Sequence, residues 1–215
     1  MEKVAVSRHE RLEEQFNAIS HGLAALTALG GFIVLIVFAA YSTKDWSMFS
    51  TFFYGTGLVA VFASSAFYHG VTNEEKKELL RIIDHVSIYL LIAGTYTPVL
   101  LITIGGAFGW TFFGIMWGLA LVGMILKIFY INSFQTTAVI MYAAMGWMAL
   151  LKVGYLYAVL PTTGFRLLLS GGLAYTVGII FYVIDKRMPY AHFIWHLFVI
   201  AGALLHFLLI AWYIV

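Results

Sequence analysis

Pro189-Tyr-Ala-His192-Phe-Ile-Trp-His196 opens the last long apolar run of the chain, with two histidines four residues apart. On a helix that spacing puts both imidazoles on one face, with Cβ atoms about 5–6 Å apart, close enough to share a metal ion. Further groups of the same chemistry stand elsewhere. Ser65-x-x-x-His69 closes an earlier apolar run, Asp84 follows at the start of the next, and Glu14-x-x-Asn17-x-x-x-His21 leads into the first. Catalytic zinc (Zn2+) sites use three protein ligands and leave a fourth position for water. His69, His192 and His196 would supply three neutral imidazoles. Asp84 would be either a weak fourth ligand or the group that holds the water and acts as general base. Ser65 lies one helical turn before His69 and shares its face, so its hydroxyl is placed for a hydrogen bond within the site. No glutamate separates His192 from His196, so the base must come from another helix. Glu14, Asn17 and His21 form a polar stripe better suited to supporting ligands than to binding the ion.

These residues need a scaffold, and the composition defines it. The 215 residues are 62% hydrophobic and only 10% charged, where a soluble domain would carry about 25% charged residues. The chain reads as an all-α integral membrane protein, a bundle of seven transmembrane helices. Cysteine is absent, which excludes disulfides, thiolate metal sites and cysteine nucleophiles. A formal charge of +2 gives no basis for nucleic-acid binding; the expected partners are membrane lipids. No cleavable signal peptide is expected, because residues 1–18 are polar and the run after them is long enough to span a bilayer.

Residues 1–18 form a cytoplasmic amphipathic segment and 19–215 a single transmembrane domain. Within the segment, Leu12, Phe16 and Ile19 fall on one side and Glu14, Asn17 and His21 on the other. The expected spans are about 19–40, 46–69, 82–104, 108–128, 136–155, 165–184 and 191–215. Thr72-Asn-Glu-Glu75 fits a capping box ahead of the third, although Asp84 near that span's start would also suit a helix cap. Pro98 should kink the third span. Gly114-x-x-x-Gly118 would admit a close helix neighbour, and homo-oligomerisation is left open. Basic residues orient the bundle. With the N-terminus in the cytoplasm, nine lie inside (Lys3, Arg8, Arg11, Lys76, Lys77, Arg81, Lys127, Lys186, Arg187) and three outside (Lys44, Lys152, Arg166). The C-terminus is then outside, and the cell membrane is the expected location.

On this topology four separate stretches deliver ionisable groups to one depth on one face. Scattered core histidines would have no reason to share a level. His206 lies ten residues beyond His196, about 15 Å further along the axis, and reads as a buried hydrogen-bonder outside the site. His85 points about 100° away from Asp84 and reads as a headgroup or neighbour contact.

The three motifs together resemble the haemolysin III branch of the progestin and adipoQ receptor family, whose relatives include the adiponectin receptors. The match covers nearly the whole chain, with the motifs in order at the expected helix ends. The resemblance implies zinc bound by His69, His192 and His196, with Asp84 reaching the metal through water. It also implies kinship with alkaline ceramidases, zinc-dependent amide hydrolases of membrane lipids. The expected function is therefore hydrolysis of a lipid amide or ester. The alternatives are a membrane sensor with a structural zinc, or a cytolysin, the latter disfavoured by the lack of a charged ring to line a pore.

Overall fold

The computed structural model describes residues 8–215. Residues 1–7, which include Lys3 and the start of the expected N-terminal segment, lie outside the described residues. Among the described residues seven helices are long and apolar enough to cross a membrane: α1 (Arg8–Tyr41), α2 (Ser47–Gly70), α3 (Glu74–Ile104), α4 (Gly106–Phe129), α5 (Gln135–Val159), α6 (Thr162–Val183) and α7 (Ala191–Ile214). The described residues contain no strand. The chain is thus an integral, multi-pass membrane protein.

From Arg8 on, the amphipathic segment and the first span are one continuous helix, because nothing between Arg11 and Tyr41 breaks it. Its faces are arranged as lipid requires rather than as water would. Phe16 and Ile19 look outward, 42% and 60% exposed, whereas Asn17 and His21 are buried against the bundle.

The start of α3 corrects two expectations. The helix begins eight residues before Ile82, and its cap is Asn73, whose side chain accepts a hydrogen bond from the Lys76 amide at 3.0 Å. Thr72 is therefore not the cap. Asp84 is not one either; it sits three turns inside the helix, its carboxylate buried. The polar turns Glu74–Arg81 hid this start, because a hydropathy window registers only the apolar part of a helix. At Pro98 the backbone passes into a π-helical stretch, Val99–Ile104, which ends at Gly105 in the left-handed region (φ 64°).

Helices α2 and α3 approach each other backbone to backbone. A Cβ added at Gly57 would lie 2.9 Å from the Leu90 carbonyl oxygen, and one at Gly94 would lie 2.7 Å from that of Phe53. Around this seam Tyr54, Leu58, Val61, Phe62 and Leu91 pack with Leu35 of α1 and with Val199 and Ala203 of α7. A second cluster joins Tyr89, Ala93 and Tyr96 of α3 to Met116 and Ala120 of α4 and to Met145 of α5.

The fifth span departs from the uninterrupted helix expected. Its α-helix stops at Gly146, a 3-10 stretch covers Met148–Lys152, and Val153–Val159 resumes the α form. Broken backbone at membrane depth needs internal hydrogen-bond partners. The Tyr96 hydroxyl supplies two, donating to the Gly146 carbonyl (2.6 Å) and accepting from the Ala149 amide (2.9 Å). The Gly114/Gly118 pair has no neighbour of this chain within 4 Å of an added Cβ, so the close helix contact read from that motif is not made within the monomer.

Candidate metal centre

The last turn of α2 presents His69, and the first two turns of α7 present His192 and His196. Each offers a ligand atom, and the three lie within 4.8 Å of one another. The ring centroids are 5.2 Å apart for His69 and His192, 5.0 Å for His69 and His196, and 4.8 Å for His192 and His196. The donor set suits a divalent cation. Nε2 of His69 and Nδ1 of His196 are buried with no hydrogen-bond partner, an arrangement that costs about 1–3 kcal/mol per group unless something fills it.

Carboxylates orient two of the three rings. His69 donates through Nδ1 to Glu14 at 2.9 Å, which leaves Nε2 facing its partners. Glu14 is itself held by Lys77 at 3.2 Å. Nδ1 of His192 lies 3.5 Å from the Asp185 carboxylate. The imidazole beside it holds the Asp185 carboxyl below the usual carboxylate range, against the opposing effect of burial. A carboxylate behind a ligating histidine fixes its tautomer and raises its basicity. Asp185 was not singled out in the sequence, where it reads as one charge of the Asp185-Lys-Arg187 turn; its place seven residues ahead of His192 was the available signal.

The entry to α7 is held from α1. Tyr190, just before the helix, has φ 61°, a conformation that costs a bulky residue about 1–3 kcal/mol. Its amide donates to Glu13 at 3.2 Å, and its hydroxyl lies 3.2 Å from Nδ1 of His9. The ring of Phe16 packs against both Tyr190 and Phe193. Adjacent glutamates of α1 thus serve both histidine-bearing helices, Glu13 at the α7 entry and Glu14 at His69. Glu13 was missed because its partner is a backbone amide, which no side-chain pattern reveals.

The remaining candidates surround the three imidazoles without joining them. His21 stacks on His196, with centroids 3.7 Å apart, and both its ring nitrogens are buried without partners. Asn17 is buried one turn earlier, its side-chain oxygen also unpartnered. Asp84 does not belong to the mutually close ligand set. With His21 and Ser65 it lines one end of a largely apolar cavity of about 130 Å³. The cavity continues past Leu91 to Tyr96 and Trp147, about 18 Å along α3. His85 is a neighbour contact, its Nδ1 3.8 Å from the Asp84 carboxylate and without a hydrogen bond. His206 is a buried hydrogen-bonder, its Nε2 3.1 Å from the Leu168 carbonyl.

Fold and site together define a seven-helix membrane protein with a three-histidine centre at one end of the bundle and an apolar chamber beside it. The chain belongs to the haemolysin III-related family, whose sequence model matches residues 9–207. It is 41% identical to the "Hemolysin-3 homolog" of Bacillus subtilis over 94% of this chain and 95% of that protein. It is 40% identical to "Hemolysin-3" of Bacillus cereus, over 94% and 92%. The human "Monocyte to macrophage differentiation factor" is 30% identical over 91% of this chain and 82% of its own length. No solved structure matches.

Proposed function

We propose that this protein is a zinc-dependent hydrolase of a membrane-lipid amide or ester. One observation carries the reading: three imidazoles lie within reach of one ion, and His21, stacked on His196, lines with Asp84 and Ser65 one end of an apolar cavity large enough to admit part of a lipid chain. The nine-to-three excess of basic residues supports placing this end of the bundle at the cytoplasmic leaflet of the cell membrane. A bound zinc would supply Lewis-acid polarisation of a carbonyl and activation of water.

The chain's own residues do the rest. His69, His192 and His196 would hold the ion, with Glu14 and Asp185 fixing two of the rings. Asp84, buried but outside the ligand set, takes the proton of the attacking water and returns it to the leaving group. The Ser65 hydroxyl, one turn from His69 on α2, donates to the substrate's carbonyl oxygen as negative charge develops there. The cavity wall from Ile88 to Tyr96 receives the apolar chain and excludes bulk water. Names such as "Hemolysin-3" point to lysis of membranes, but no observation on this chain favours a pore.

The test is metal analysis of the purified protein, paired with a lipid-amide hydrolysis assay. Wild type should carry zinc and release free amine. Asp84→Asn should keep the metal and lose at least about a hundredfold in rate, the scale of a general base. His192→Ala should lose both. Zinc in an inactive wild type would point instead to a structural ion in a sensor. Full zinc occupancy in His192→Ala would overturn the ligand set.

A further inference from the structure

A second polar cluster lies at the same end of the bundle, on the far side of α3, and the metal centre makes no use of it. Arg81 of α3 and Lys127 in the last turn of α4 are both drawn to the connection between α4 and α5. The Arg81 guanidinium donates to the side-chain oxygen of Asn132. Lys127 Nζ donates to Oε1 of Gln135 at 2.7 Å, and the Gln135 amide is itself anchored to the Ile131 carbonyl at 2.5 Å. Both partners are neutral amides, which orient a cation without compensating its charge.

The charge balance is therefore open. Among the described residues no carboxylate lies within ion-pair distance of Arg81 or Lys127. Lys127 is only 3% exposed, so water does not compensate it fully, and Nε of Arg81 is enclosed without a partner. The C-terminal carbonyls of α4 contribute about half an elementary negative charge, against two positive ones. Lysines at a membrane boundary usually extend toward the headgroups, whereas Lys127 is turned inward to meet Arg81's loop. Around it Ile128, Phe129, Tyr130 and Phe134 are 49–71% exposed, an apolar and aromatic rim of the kind that sits at the lipid interface.

We propose that Arg81 and Lys127, positioned by Asn132 and Gln135, form a binding site for the phosphate of an anionic phospholipid, whose acyl chains lie along the exposed rim. Arginine provides the planar fork that suits phosphate oxygens, and lysine provides a point charge beneath it. The lipid supplies the missing counter-charge and joins α3, α4 and the start of α5.

Native mass spectrometry of the full chain, released from neutral-detergent micelles doped with phosphatidylglycerol or phosphatidylcholine, tests this. Wild type should retain phosphatidylglycerol in preference to phosphatidylcholine. Arg81→Gln and Lys127→Gln should each retain about tenfold less, the loss expected for one charged hydrogen bond. Arg81 is less deeply buried than Lys127, so its variant remains informative if Lys127→Gln does not fold. Lys152→Gln, which removes a cation that stacks on Phe108 at the other end of the bundle, should retain the lipid as wild type does. Equal retention by all four proteins, or of both lipids, overturns the proposal. So does equal thermal protection by inorganic phosphate alone, which would make the site one for a free anion.

Discussion

The pair α2–α3 and the pair α5–α6 are built from equally apolar sequence and packed in opposite ways. In their apolar windows 56% and 61% of residues are buried in α2 and α3, against 11% in each of α5 and α6. The first pair meets through glycines with backbones nearly touching, and it carries His69, Ser65 and Asp84. The second pair mostly faces lipid, and α5 is broken where Gly146 and Trp147 line the cavity. The proposed site thus draws His69, Ser65 and Asp84 from the more tightly packed pair. The opposite wall of the cavity, which includes Tyr142, Trp147, Tyr175 and Tyr182, is formed by the loosely packed pair.

That contrast can be broken or sharpened by substitution. Gly94→Leu should have the largest effect, since its Cβ alone would lie 2.7 Å from the Phe53 carbonyl oxygen. The α2–α3 seam should open at a cost of about 3 kcal/mol or more, read as a collapse of the thermal transition in detergent. Glu14→Gln should leave the fold intact but weaken metal binding about 10–100-fold, because His69 loses its anionic support; chelator competition measures this. Tyr96→Phe should act on the other pair. It leaves the Gly146 carbonyl and the Ala149 amide unpaired at about 1–3 kcal/mol, so amide exchange should accelerate around residues 146–150 while metal content stays constant. Gly114→Leu, on a surface with nothing within 4 Å, should change monomer stability by less than about 0.5 kcal/mol. A larger loss would mean that a second chain packs there.

Much of this was legible in the chain. Seven apolar runs of spanning length fix seven crossings, because hydrocarbon leaves a helix no alternative for its backbone polar groups. The i,i+4 spacing of His192 and His196 fixes their shared face, and antiparallel crossings fix the shared level of His69, Asp84 and Glu14. These are local or periodic properties, and they survive any choice of neighbours. The packing decided the rest. That Glu14 rather than Asp84 touches His69, that Asp185 stands behind His192, and that Glu13 holds the amide of Tyr190 all depend on helix rotation and separation. Those are set by where Gly57 and Gly94 let α2 and α3 close, a distance that residue spacing does not encode. The break in α5 is of the same kind, since the partner that makes it tolerable, the Tyr96 hydroxyl, lies some fifty residues away on another helix.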